Sequence, residues 1–152
     1  MLTPTQRHTL IYWLYAISIG HVLVGILLPL VIHLPFFDPY HRLLEAGFWL
    51  NTAPDAVRAQ QVWWIGLFGA TIQNVGIWMA ALIRLGELHR SRFAWLSLLF
   101  GILVWAPQDM WISYTKGVLV HVWIDCFALL IIVPPLLLLA HNDKTNKTNQ
   151  DT

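Results

Sequence analysis

Charged side chains are scarce in this chain: they form 11% of its 152 residues, against roughly a quarter in an ordinary soluble domain. That deficit excludes a surface solvated by water on all sides and points to lipid. A net charge of +1 leaves no basic patch for nucleic acid, and no basic helix or nucleic-acid motif appears, so no nucleic-acid partner is expected. Cysteine occurs once, at Cys126, which excludes an intrachain disulfide and a CxxC redox or zinc site. Cys126 reads as a small core residue. The chain also lacks HExxH, a glycine-rich phosphate loop and a nucleophile arrangement. Neither a metal site nor a cofactor is expected.

What is abundant is apolar. Hydrophobic residues reach 57% of the chain, and four segments are long enough to cross a hydrocarbon core, which needs about 20 apolar residues in a helix. They are Leu10–Ile32, Val62–Ile83, Phe93–Tyr114 and Val118–Ala140. The first exceeds the roughly 7 to 15 residues of a signal-peptide core and lacks an A-x-A-type cleavage site, so it reads as a retained span. The expected fold class is all-α: a polytopic four-transmembrane-helix bundle, one domain over residues 1–141, followed by a disordered polar tail over 142–152.

Connections follow from local chemistry. Thr3 and Pro4 suit an N-cap and first turn, Pro29 predicts a kink late in the first helix, and Pro134 with Pro135 predicts one near Ile131. "RLGELHRSR", Arg84–Arg92, reads as a polar turn with Gly86 at a helix C-terminus, and "YTKG", Tyr114–Gly117, as a tighter one. The long connection 34–61 contains "DPYHRLLEAGFWL". Its Leu43, Leu44, Gly47, Phe48 and Leu50 predict a short helix, either resting on the membrane interface or packed as a lid over the bundle mouth. Four spans put both termini beside the Arg84–Arg92 turn. Arg7, Arg84, Arg90, Arg92, Lys144 and Lys147 lie on that side, against Arg42, Arg58 and Lys116 on the other. The positive-inside rule then predicts an integral membrane protein, of the inner membrane if bacterial, with both termini cytoplasmic.

Polar residues inside the spans are the candidates for function. At 1.5 Å per residue, Asp109 falls about 7 Å, His121 about 6 Å and Asp125 about 12 Å below the outer interface. His121 and Asp125, spaced i, i+4, share a face and are expected to hydrogen-bond. A carboxylate at mid-membrane costs about 2.5–3.5 kcal/mol on insertion scales and is by default a functional residue. No lysine or arginine stands among these groups. Asp125 therefore keeps its proton, pairs with a charged His121, or meets a cation or amine-bearing ligand from outside. Asp109 is shallow enough to reach interfacial water.

Gln108 and His33 lie at similar depth. Of the nine tryptophans, Trp64, Trp105, Trp111 and Trp123 form either the walls of a pocket around a cation or part of an interfacial belt. His21, Gln73 and Asn74 fall deeper and predict an interhelical hydrogen-bond set. The glycine pairs 20/25 and 66/69 lack the GxxxG spacing of a dimer face.

These features together resemble the four-helix EXPERA-type membrane proteins, the group of the emopamil-binding sterol isomerases and their ligand-binding relatives. The resemblance covers most of the chain. It rests on His21 in "SIGHVL", Leu34 and Pro35, the long outer connection, Trp63 and Trp64, Gln73, Gly86 and the proline-interrupted last helix. It implies a bundle enclosing a lipophilic cavity. That family places acids in its first and second spans, where this chain has Pro29 and Gly69, so the polarity must come from Asp109, His121 and Asp125.

The expectation is a membrane protein that binds a small lipophilic or amphipathic ligand in an outer-half pocket, with membrane lipids around it. One competitor is a lipid isomerase or hydrolase with His121 and Asp125 as catalytic candidates. Others are a b-type haem protein using His33 and His121, and a proton-coupled transporter or accessory subunit acting as a homo-oligomer or with a membrane-complex partner.

Overall fold

The structure, a computed structural model, describes residues 2–49 and 53–148. Helix α1 spans Pro4–Val31, a 3-10 turn Pro35–Phe37 leads into α2, Asp38–Ala46, and α3, α4 and α5 span Asp55–His89, Arg92–Thr115 and Leu119–Thr148. The described residues contain no strand. Four helices are long and apolar enough to cross a membrane, and the chain is an all-α membrane protein. Their outward faces carry Phe93, Phe100 and Leu130, each more than two-thirds exposed, which only a lipid solvent tolerates in such number.

Two antiparallel pairs build the bundle: α1 packs along α3, and α4 along α5. Small residues bring the first pair together. Ser18 Oγ donates to Gly76 O at 2.8 Å, and seven residues further along α1 Gly25 faces Gly69, where a Cβ would meet the opposing backbone. Close backbone approach through small residues is the usual way membrane helices gain packing energy without a hydrophobic drive.

The core, Ile11, Leu14, Ile83, Trp95, Leu99, Ile132, Leu136 and Leu139 among others, draws on all four long helices toward the end that carries the termini. A proline repair joins the pairs. Pro135 has no N–H for the carbonyl of Ile131, four residues back, and Trp13 Nε1 on α1 donates to that carbonyl at 3.0 Å. A backbone group freed inside hydrocarbon must find another partner.

Thr3 caps α1, as the Thr-Pro start predicts, and Gln6 completes a reciprocal capping box with it. Other boundaries differ from the sequence expectation. Helix α3 continues through "RLGELH", leaving only Arg90 and Ser91 as the turn, with Arg90 in the left-handed region at φ 47°. Gly86 is therefore no helix end; it lies inside α3 because the indole of Trp95 covers it. Cys126 is exposed rather than core.

At the other end of α5 the helix passes residue 141, where a polar tail was expected. Asn142 and Asp143 are buried, because Asp143 is the acceptor for Arg7, Trp95 and Asn142. Residues 149–152 of the expected tail, and Leu50 of the expected α2 face, lie outside the described residues.

Candidate functional site

The α4–α5 turn sets the register of the acids. Val118 N donates to Ser113 O at 2.9 Å and Gly117 N to Tyr114 O at 3.0 Å, with Gly117 at φ +73°. This is a Schellman-type cap, in which a left-handed glycine satisfies the last carbonyls of the helix. Asp109 lies eight residues before Gly117 and Asp125 eight after it. The two carboxylates therefore occupy equal depth on neighbouring antiparallel helices.

Asp125 is 1% exposed, and its Oδ2 is buried with no hydrogen-bond partner. Asp109 is half-buried and accepts from Ser113 Oγ at 3.3 Å. Among the described residues neither acid forms an ion pair. An unmatched buried acceptor forfeits about 1–3 kcal/mol, and more when it is charged.

His121 does not bond to Asp125. Its Nε2 lies 2.9 Å from Tyr40 Oη, and the two rings are stacked with centroids 6.1 Å apart. The sequence expectation of an i, i+4 His–Asp bond is thus corrected: Tyr40, arriving from α2, takes the imidazole. Burial, and next the negative charge of Asp109, push the Tyr40 phenol above its ordinary range, so it keeps its proton at neutral pH.

Helix α2 crosses the loop end of the bundle with its polar side inward. His41 Nε2 lies 2.9 Å from Ile32 O at the end of α1. Gln61 Nε2 donates to His41 Nδ1 at 2.8 Å, which leaves Nε2 as the protonated nitrogen that donates to Ile32 O. Arg58 on α3 binds Glu45 through both Nε and Nη2, and Asp38 through Nη1 at 2.9 Å. Those bonds hold the Glu45 carboxyl below the usual carboxylate range, the Arg58 hydrogen bonds being the largest cause. The expected short helix is present as α2, docked on the neighbouring helices through Tyr40, His41 and Glu45, with Pro39, Leu43 and Ala46 exposed on its other side.

The remaining expected site residues are placed elsewhere. Trp64, Trp105, Trp111 and Trp123 are 50%, 49%, 69% and 71% exposed, pointing away from the bundle, so they form no wall around the acids. They belong to the lipid-facing surface. His33 and Gln108 are exposed as well. The interhelical set of His21, Gln73 and Asn74 is not formed: His21 Nδ1 meets Ile17 O, and Asn74 Oδ1 accepts from Trp78, each within its own helix. A groove lined by Leu2, Thr5, Gln6, Thr9, Leu10 and Leu138 lies at the terminal end, far from the acids.

Sequence reasoning missed Tyr40, His41, Glu45, Arg58 and Ser113. The available signal was the i, i+4 pair His41 and Glu45 with Asp38 one turn earlier, a polar stripe opposite Leu43. Among the described residues no group of three His, Cys, Asp or Glu is placed to hold a metal. Comparison with protein-family models, with characterised proteins and with solved structures found no match for this chain.

Proposed function

We propose that this membrane protein binds a small lipophilic or amphipathic molecule whose head carries one positive charge and an N–H donor, seated at Asp125 and Asp109 in the outer half of the bundle. The observation that carries this reading is the buried, unpartnered Oδ2 of Asp125 at the depth of a second acid, with no lysine or arginine paired to either among the described residues. An ammonium group supplies both the charge and the hydrogen that the site lacks. An apolar tail suits the hydrocarbon around it.

Tyr40 and His121 close the site from above in this reading, and the Asp125 carboxylate is the anchor. No reaction is assigned, since the His121–Asp125 dyad that a proton shuttle requires is replaced by the Tyr40–His121 contact.

The test is binding of dodecylammonium and of its uncharged counterpart dodecanol to the protein in lipid nanodiscs. Dodecylammonium is expected to bind, dodecanol to bind at least about tenfold more weakly, and Asp125→Asn to erase the difference, a change of about 1.4 kcal/mol or more. Equal binding of amine and alcohol, or an Asp125→Asn protein that still prefers the amine, overturns the reading.

A further inference from the structure

We propose that α2 is a gate over this acidic site, seated by its apolar face in the headgroup layer of the outer leaflet and latched by its polar face to the helix ends. The inference rests on the reading above that a ligand travels to Asp125. Its basis is the division of α2 into two opposed faces. Inward, the buried residues of this helix are His41 and Glu45, with Asp38 joining them on Arg58. Outward lie Pro39, Leu43 and Ala46, all exposed, flanked by Phe36, Phe48 and Trp49 at 83%, 62% and 43% exposure.

A helix that docks on its protein by hydrogen bonds and turns its apolar side away is the reverse of an ordinary core helix. Lipid is the occupant that fits the outer side. The connection leaves α1 directly at the end of a membrane span and returns to another, which holds α2 at the depth where aromatic side chains settle. Exposed Arg42 and Lys116, whose Nζ stands 5.6 Å from the Phe48 ring centroid, supply cations for lipid phosphates. Inward, the Tyr40–His121 contact ties α2 to α5 one helical turn from Asp125. Parting that contact, with the Arg58 latch released, exposes the route to the carboxylate.

The experiment uses the full chain in phosphatidylcholine vesicles, in a Cys126→Ser background. A bimane on Leu43→Cys reports the seat: brominated phosphatidylcholine is expected to quench it. Failure to quench overturns the lipid seat, with crosslinking between Leu43→Cys copies then marking a second copy of the chain as the occupant.

A second cysteine, Ser113→Cys, buried beside Asp109 in the native chain, reports the gate through its rate of modification by the small cation aminoethyl methanethiosulfonate. Glu45→Gln is expected to speed that reaction about tenfold, as loss of a charge-assisted latch bond shifts the open population. Asp38→Asn, cutting the more exposed arm of the same latch, is expected to speed it less. Unchanged rates in both variants, with helicity retained, overturn the gate. The outcomes separate the two proposals, since faster labelling in a protein that ignores dodecylammonium leaves the gate standing and removes the ligand reading. Tight amine binding with unchanged labelling does the opposite.

Discussion

Arg7 and Asp143 carry the strongest single-residue consequence outside the acidic site. Arg7 Nε and Nη2 donate to the two oxygens of Asp143 at 3.3 and 3.2 Å, Nη2 reaches Gly86 O at 3.2 Å, and Trp95 Nε1 donates to Asp143 at 2.9 Å. One carboxylate thus joins residues from α1, α4 and α5, and through Arg7 also α3. Removing one member of a buried ion pair costs about 3–5 kcal/mol because the other charge is left unmatched. Arg7→Met and Asp143→Leu are each expected to lose that much in unfolding from detergent micelles. The double substitution is expected to lose less than either, and Trp95→Phe about 1.5–3 kcal/mol, the value of a hydrogen bond to a charged group. Additive losses in the double variant would refute a coupled pair. None of this was legible in the sequence, where Arg7 counted only as a flanking charge and Asp143 as the start of a tail. Ion pairs across 136 residues leave no local pattern.

Between whole elements, the α1–α3 seam is governed by which glycines face a backbone. A Cβ at Gly69 would stand 2.6 Å from Pro29 Cδ and 2.9 Å from Gly25 O, whereas one at Gly20 would meet nothing within 4 Å. Gly69→Ala is accordingly expected to destabilise the bundle by about 1–3 kcal/mol through overpacking. Gly20→Ala is expected to leave stability unchanged or raise it by about 0.4–1 kcal/mol through chain entropy. Thermal unfolding of the two variants in one detergent checks the contrast, and a destabilised Gly20→Ala would contradict it. A search of the sequence for GxxxG finds no such seam, because Ser18 and Gly25 on one helix and Gly69 and Gly76 on the other repeat every seven residues. The Schellman turn at Gly117 was visible, since "YTKG" needs only local chemistry. Helix α2 was half visible: its apolar residues announced a helix, but which face docks depends on Arg58 and Gln61, which arrive from another element. In acid, α2 should loosen first. The depressed Glu45 carboxyl contributes stability that is complete above the ordinary glutamate range near pH 4.3 and is lost as pH falls through its lower folded value.

Across the whole molecule, apolar packing and polar chemistry are segregated along the bundle axis. The core cluster occupies the terminal end, while the loop end is held by α2, its ion pairs and hydrogen bonds, and contains the unmatched Asp125. The number of spans was legible because hydropathy acts over twenty consecutive residues and needs no knowledge of partners. The acids themselves were legible as anomalies in apolar runs, yet their surroundings were not: a tryptophan in a span has the same sequence signature whether it faces lipid or a cavity. The same segregation decides what orientation means for function. Six basic residues flank the terminal side and three the other. Arg7 is consumed by Asp143, but acidic neighbours count little in the positive-inside bias, so the terminal side is expected in the cytosol and the acidic site outside. Single cysteines at exposed positions that change no lysine or arginine, His89→Cys and Thr115→Cys in a Cys126→Ser background, test this in intact cells with a membrane-impermeant maleimide. Thr115→Cys should label at once, and His89→Cys only after permeabilisation. The reverse pattern would open the site to the cytosol, and a ligand would then have to reach Asp125 from the inner leaflet.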